Sequence, residues 1–475
     1  MADLSAIVKA YDIRGVVGEQ LDESVARSLG AATARLVADD TPSPRAVVVG
    51  RDMRDSSEPL AAAFAEGVNS QGLDVVDIGL ASTDMLYYAA GTLDLPGAMF
   101  TASHNPARYN GIKLCRAGAT PIGQDSGLAE IRTTAESMLA PPAPRPVTGV
   151  PDGPGGGTVE KRDLLTGYAA YLRELVDLSG LGGPTVVVDA GNGMGGHTVP
   201  SVFAGLDARV VPLYFELDGT FPNHEANPLD PANLVDLQKR VVSEGADIGL
   251  AFDGDADRCF VVDERGAAVS PSAITGLVAA REMARARDDG EQDVTIIHNL
   301  ITSRAVPELV AEHGGRAVRT RVGHSFIKQT MAETGAVFGG EHSAHYYFRD
   351  FWRADSGMLA ALHVLAALAE HRASPHPPHT LSSLMEAYER YAASGEVNST
   401  VDDQSGRVAE IERVFGARDG VELDRLDGLT VSLPDGSWFN LRASNTEPLL
   451  RLNVEAADDG AVAALRDEVL AIVRA

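Results

Sequence analysis

The sequence predicts an α/β protein, with three similar mixed α/β domains in series and a smaller C-terminal α+β domain. Three observations predict it. Short β-branched runs alternate with segments of helical periodicity along most of the chain, which is how α/β units read in sequence. Two stretches rich in Pro or Gly interrupt the alternation. The 475 residues also exceed what one hydrophobic core holds, since single cores stop growing at roughly 250–300 residues.

Taken in order, Ala46–Val49, Val75–Ile78 and Gly97–Phe100 predict strands, with a helix over Glu58–Ser70 between the first two. Ala140–Thr158 carries Pro141, Pro142, Pro144, Pro146, Pro151 and Pro154 before Gly155–Gly157, and reads as a linker. Thr185–Asp189 predicts a strand leading into the glycine-rich turn Gly191–Gly196. Arg209–Leu213, a helix over Pro231–Ser243 and a strand over Asp247–Phe252 follow. Val294–His298, Arg316–Arg321 and Ala336–Phe338 repeat the pattern. The apolar run Met358–Leu368, bounded by Asp355 and Glu370, is too short to span a bilayer and reads as a buried helix. Ala373–Thr380 is a second linker. The expected domains are 1–145, 158–262, 263–372 and 380–475.

Hydrophobic content of 44% and charged content of 23% exclude a mainly disordered chain. The net charge of −27 repels nucleic acid phosphates and anionic lipid headgroups, so neither nucleic acid nor membrane is expected as a partner. A phosphorylated substrate would need local cations to reverse that field. Cys115 and Cys259 are the only cysteines, which excludes a disulfide framework and favours a reducing compartment. Asp3, Lys9, Asp12 and Arg14 interrupt the apolar positions of the first residues, unlike a secretory signal, so a cytoplasmic protein is expected.

Ligands in such folds sit in loops at strand ends, and four loops carry chemistry. Thr101-Ala102-Ser103-His104-Asn105-Pro106 follows a strand and exposes the Ser103 hydroxyl, as a nucleophile or as a serine satisfying the turn. Asp253-Gly254-Asp255-Ala256-Asp257-Arg258 spaces three carboxylates with small residues that let the loop curl. A hard cation such as Mg²⁺ would relieve their repulsion, and a solvated acidic turn is the other reading. Gly339–His345 offers Glu341 and Ser343 for sugar hydroxyls, and His345 for proton transfer or phosphate contact; a surface turn is the alternative. Arg442, Ser444, Asn445 and Thr446 supply a guanidinium fork and polar donors suited to a phosphate, or else a helix cap. Arg14, Arg51, Arg54 and Lys113 add positive charge near the first loop, together with Arg258, His324, His345 and Arg442.

In this order and spacing the four loops resemble those of the α-D-phosphohexomutase family, and most closely its phosphomannomutase/phosphoglucomutase branch, over nearly the whole chain. The resemblance implies domains arranged around a central active-site cleft. It implies that Ser103 is a phosphoserine and that Asp253, Asp255 and Asp257, with an oxygen of that phosphate, hold Mg²⁺. Arg14, Lys113 and His345 match residues that support proton transfer and the transition state. Glu341 and Ser343 match the sugar-hydroxyl positions, and Arg442, Ser444, Asn445 and Thr446 the phosphate loop. Tyr11, His324 and Arg258 match further cleft contacts, and His104 lies beside the nucleophile. The implied reaction interconverts hexose 6-phosphate and hexose 1-phosphate through a 1,6-bisphosphate, with mannose preferred, glucose accepted, and glucose or mannose 1,6-bisphosphate as activator. A monomer or weak dimer is expected. The competing readings are a phosphoglucosamine mutase, a phosphatase that hands the phosphoserine group to water, and a silent sugar-phosphate binder.

Two positions depart from the family pattern. Ala256 stands where many relatives have Gly, so the loop cannot take a strongly left-handed conformation there without some strain. Where some relatives have a basic residue, this chain reads Asn299-Leu300-Ile301-Thr302.

Overall fold

A computed structural model describes residues 3–9, 11–40, 42–139, 156–375, 377–443 and 449–475. It divides into two compact units. The first joins Met1–Val269 to Ser343–Leu384, and the second joins Ser270–His342 to Met385–Ala475.

The first unit opens with β1 (Ile13–Val16), α1 (Glu23–Ala38), β2 (Ala46–Arg51), α2 (Ser57–Asn69), β3 (Asp74–Leu80), α3 (Thr83–Leu93), β4 (Gly97–Phe100), β5 (Tyr109–Cys115), α4 (Leu128–Leu139) and β6 (Val159–Lys161). The strands form one sheet in the order β1-β5-β4-β2-β3-β6. β2 runs parallel to β3 and β4, whereas β5 is antiparallel to β4 and β1. Ala46 to Gly50 are all buried, because a strand covered on both faces is apolar throughout rather than alternating. Phe64, Phe100, Leu29, Val37 and Ile131 close the core between the sheet and helices α1, α2 and α4. Of the proposed first linker, residues 140–155 lie outside the described residues, and the chain re-enters as β6 on the edge of this sheet.

After α5 (Leu165–Leu175) a second sheet contains β7 (Thr185–Asp189), β8 (Arg209–Leu213), β9 (Ile248–Phe252), β10 (Cys259–Asp263) and β11 (Ala268–Val269), with α6 (Gly195–Val202) and α7 (Val235–Glu244) between strands. Its order is β11-β10-β9-β7-β8. β9 and β10 pair antiparallel with Phe252 opposite Cys259, so residues 253–258 are the tip of a hairpin. The helix expected over Pro231–Ser243 begins as a 3₁₀ turn, Pro231–Leu234, and continues as α7.

The second unit then provides α8 (Pro271–Asp288), β12 (Thr295–Asn299), α9 (Ala305–Glu312), β13 (Arg316–Thr320), α10 (His324–Thr334) and β14 (Phe338–Gly340), with β12 parallel to both β13 and β14. β14 lies two residues beyond the expected Ala336–Phe338, because Gly339 and Gly340 continue the strand. A side chain at Gly340 would overlap Thr275 of α8. The chain returns to the first unit as the antiparallel pair β15 (Tyr346–Phe348) and β16 (Ala354–Asp355), followed by α11 (Gly357–Ala373) and α12 (Leu381–Met385). Gly357 to Leu368 are buried without exception, the buried helix expected of that apolar run.

The second unit ends with β17 (Ala392–Thr400), α13 (Gln404–Gly416), β18 (Glu422–Asp424), β19 (Leu429–Ser432), β20 (Trp438–Ala443), β21 (Leu449–Ala456) and α14 (Asp459–Val473). This antiparallel sheet, ordered β17-β21-β20-β19-β18, is the α+β portion. Phe415 of α13 packs edge-on against Phe439 of β20, with ring centroids 4.9 Å apart.

Candidate active site

The first loop joins β4 to β5, two strands paired with Phe100 opposite Ile112, so its ends are fixed by the sheet. Ser103, expected to be exposed at the strand end, is instead buried beneath the 253–258 hairpin tip, and it is left-handed, at φ 49°. That conformation costs a non-glycine residue about 1–2 kcal/mol and persists only where the surroundings hold it. The Ser103 N–H donates to Thr101 Oγ1 at 2.9 Å, and its carbonyl accepts from Arg54 Nη2 at 2.9 Å. Arg54 is buried as well. Its Nη2 also donates to the Asn105 carbonyl at 2.6 Å, its Nη1 to those of Pro106 and Tyr109 at 3.0 and 3.1 Å, and its Nε to Asp52 at 3.2 Å. The loop is thus organised around one guanidinium.

The β9–β10 hairpin tip packs onto this loop so closely that a side chain at Gly254 would overlap the Ser103 carbonyl. Ser103 Oγ donates to Asp253 Oδ2 at 2.8 Å. Arg258 donates to the same oxygen through Nε at 2.9 Å, and Lys113 Nζ reaches Asp255 Oδ2 at 2.7 Å and Asp257 Oδ2 at 2.5 Å. One ligand atom from each aspartate lies within 4.8 Å of the others. Asp255 Oδ1 and Asp257 Oδ1 are buried and accept no hydrogen bond among the described residues. Buried oxygens left open beside a third carboxylate fit a hard divalent cation, which takes oxygen ligands. Ala256 adopts φ 59°, the left-handed conformation that alanine takes only with strain. Burial and the Ala256 N–H to Asp253 carbonyl bond at 3.1 Å hold the strained residue in place.

Electrostatics follow from burial. Desolvation pushes Asp253 up to about 7 against the pull of Arg258, and the neighbouring Asp257 and Asp255 push the same way. For Asp255 burial acts upward too, but Lys113 outweighs it and holds the carboxyl far below its ordinary range. Burial, then the Arg258 and Arg14 charges, hold His104 well below the usual imidazole value. Neutral His104 accepts at Nδ1 from Arg258 Nη2 at 2.6 Å, and Nδ1 lies 3.3 Å from Ser103 Oγ.

Arg14, His345 and, through His345, Ser343 also reach this site within the first unit. Arg14, on β1, donates to Asn105 Oδ1 and to Asp12 Oδ2, each at 2.5 Å, and Tyr11 is half-buried just before that strand. His345 forms an isolated backbone bridge with Arg258. Its Nε2 stands 3.8 Å from Asp257 Oδ1 and its Nδ1 3.0 Å from Ser343 Oγ.

The second unit holds the rest. Glu341 is buried, and its Oε1 accepts from Asn299 Nδ2 and from the Gly323 N–H, both at 3.2 Å. Asn299 Oδ1 in turn caps the Ile301 and Thr302 amides at 3.1 and 3.0 Å. The position without a basic residue therefore carries an amide that orients Glu341. Asp427 Oδ2 accepts from the Val322 N–H at 3.2 Å and lies 3.5 Å from Arg442 Nη1, which links the turn before α10 to the phosphate-loop arginine. Ser444, Asn445, Thr446 and the His324 side chain lie outside the described residues.

The sequence matches phosphoglucomutase/phosphomannomutase alpha/beta/alpha domain I over residues 5–139, domain II over 166–266, domain III over 271–391 and the C-terminal domain over 396–472. It is 39% identical over 459 residues to a phosphomannomutase of Salmonella typhimurium, covering 95% of each chain. The chain belongs to the phosphoglucomutase/phosphomannomutase family. It is an isomerase of the phosphohexomutase class. The phosphohexose mutases of Xanthomonas campestris are 39% identical, with 97% of each chain covered. A crystal structure of a phosphoglucomutase/phosphomannomutase family protein from Burkholderia thailandensis superposes with TM-score 0.85 at 32% identity, over 99% of this chain and 97% of that one. No helix among the described residues is long and apolar enough to cross a membrane.

Proposed function

We propose that this phosphohexomutase interconverts hexose 6-phosphate and hexose 1-phosphate, with mannose preferred and glucose accepted, through a phosphoserine at Ser103 and a hexose 1,6-bisphosphate. The observation that carries the reading is the 2.8 Å hydrogen bond from Ser103 Oγ to Asp253, which joins an unusual buried serine to a carboxylate cluster. Asp253, Asp255 and Asp257 would hold Mg²⁺ together with the serine phosphate, and a bound cation supplies positive charge to the equatorial phosphoryl oxygens.

The residues of the chain do the rest. Phosphoserine transfers its phosphoryl group in line to the free sugar hydroxyl: the bond from phosphorus to Ser103 Oγ breaks as the bond to the sugar oxygen forms. The hydroxyl proton passes to His345 Nε2, and the Asp257 carboxylate 3.8 Å away stabilises the imidazolium. Lys113 and Arg258 neutralise the charge developing in the transition state. Glu341, held by Asn299 and Gly323, accepts from sugar hydroxyls, joined by Ser343. Arg442 and the Ser444–Thr446 loop anchor the phosphate that is not reacting, with Tyr11 and His324 as further contacts. The bisphosphate turns over and returns its other phosphate to Ser103. A catalytic quantity of glucose or mannose 1,6-bisphosphate primes serine that has lost its phosphate.

A coupled assay of mannose 1-phosphate against glucose 1-phosphate, with catalytic glucose 1,6-bisphosphate, tests the reading. Turnover should be higher with mannose, measurable with glucose, and abolished by Ser103→Ala. Full activity in Ser103→Ala removes the nucleophile. Release of inorganic phosphate in place of the isomer makes the protein a phosphatase.

A further inference from the structure

We propose that Thr83, at the start of α3, is a positioning residue for the divalent cation, acting through Asp255. The proposal rests on the reading of Asp255 as a metal ligand. Thr83 is fully buried and lies 172 residues away in sequence, yet it grips Asp255 twice. Its Oγ1 donates to Asp255 Oδ2 at 2.6 Å, and its N–H donates to the Asp255 carbonyl at 2.9 Å. Lys113 Nζ donates to the same Oδ2 at 2.7 Å. Both side-chain donors thus fall on one carboxylate oxygen, and the other, Oδ1, is buried and accepts no hydrogen bond among the described residues. A carboxylate locked at one oxygen presents the second in a fixed direction. Lys113 can follow its partners on a flexible stem, whereas Thr83 has a short side chain on a helix end.

That helix end is itself fixed. Ser82 caps α3, accepting from the Met85 N–H at 3.3 Å. Asp84 is buried and accepts from the Ser82 hydroxyl, from Tyr168 of α5 at 2.7 Å and from Ser356, the cap of α11, at 2.6 Å. Three helices therefore converge on the residue beside Thr83, and the orientation of Asp255 is inherited from rigid elements rather than from its own loop. Partners that orient a metal ligand commonly change metal affinity 10–100-fold when removed, by order of magnitude.

Mn²⁺ binding to the purified full-length protein, read from the electron paramagnetic resonance of free Mn²⁺, tests this without using activity. Thr83→Val keeps the shape and the backbone donor but removes Oγ1, and Thr83→Ser keeps the hydroxyl. The proposal expects Thr83→Val to weaken Mn²⁺ binding about 10- to 100-fold and Thr83→Ser to stay within about threefold of the parent protein. Metal-free melting temperatures of the two variants should agree within a few degrees. A lowered melting temperature with unchanged Mn²⁺ affinity in Thr83→Val assigns the hydroxyl a structural role alone and overturns the proposal. Asp255→Asn separates the two levels of the argument. If it binds Mn²⁺ as well as the parent does, or if the parent binds none, the metal-site reading falls and Thr83 falls with it. If Asp255→Asn loses Mn²⁺ while Thr83→Val retains it, only the Thr83 proposal fails.

Discussion

Replacing Arg54 by lysine probes how the Ser103 loop is held. The guanidinium makes hydrogen bonds to four loop carbonyls, those of Ser103, Asn105, Pro106 and Tyr109, and one to Asp52. Phe221 lies against its face, 5.0 Å from the guanidinium carbon to the ring centroid. Lysine keeps the charge but has only three donors, and after pairing with Asp52 it reaches at most two of the four carbonyls; the Pro106 carbonyl keeps the Tyr109 N–H at 3.0 Å, so at least one carbonyl is left without a partner. A buried acceptor so abandoned costs about 1–3 kcal/mol, which is the expected total for the one carbonyl left without a donor. That energy is no longer available to hold Ser103 at its left-handed φ, so the competent loop conformation should become ~5- to ~150-fold rarer at about 1.36 kcal/mol per tenfold. The coupled assay should show kcat lowered by that factor and KM within about threefold, because Arg54 touches the nucleophile loop and not the residues assigned to the sugar. Intact-mass measurement should show slower phosphoryl transfer from phosphoserine to added hexose 1-phosphate. A folded Arg54→Lys protein that transfers the group at the parent rate would refute the argument.

Three further outcomes are expected. Burial pushes Asp84 up to about 6 from 3.8, so between those pH values the folded chain keeps a proton that the unfolded chain has released; stability falls as pH rises through that window, by about 3 kcal/mol. The melting temperature of Asp84→Asn should lack this segment, and a difference between parent and variant that stays constant from pH 4 to pH 7 would count against it. Ala256→Gly relieves left-handed strain of about 1–2 kcal/mol at the cost of about 0.5–1 kcal/mol in chain entropy, so the melting temperature should rise by a degree or two; a fall contradicts the strain argument. Arg442→Ala should raise KM for hexose phosphate about 10- to 100-fold, the worth of a charge-assisted pair, with a smaller change in kcat. A change in metal dependence alone would place the phosphate elsewhere.

The strands were legible because burial on both faces imposes continuous β-branched runs, as in Ala46–Val49 and Thr185–Asp189, and the chemical loops were legible because they follow such runs. Gly339 and Gly340 misled the reading, since a glycine pair signals a turn in sequence, whereas here Gly340 admits α8 and Gly339 admits α10 against a strand. At Ala256 the local steric preference predicts strain, and a hairpin tip clamped by Lys113, Arg258 and Ser103 holds the residue in that strained conformation. Arg54 appeared in the sequence only as one of several charges near the first loop, and Thr83 gave no signal. Their partners lie 49 and 172 residues away, and no periodicity or spacing encodes a contact of that kind. The division has a physical basis. A residue that meets a ligand must carry distinctive chemistry at a strand end, which sequence displays. A residue that holds such a group in place needs only one well-aimed hydrogen bond, and a threonine serves as well as anything more conspicuous.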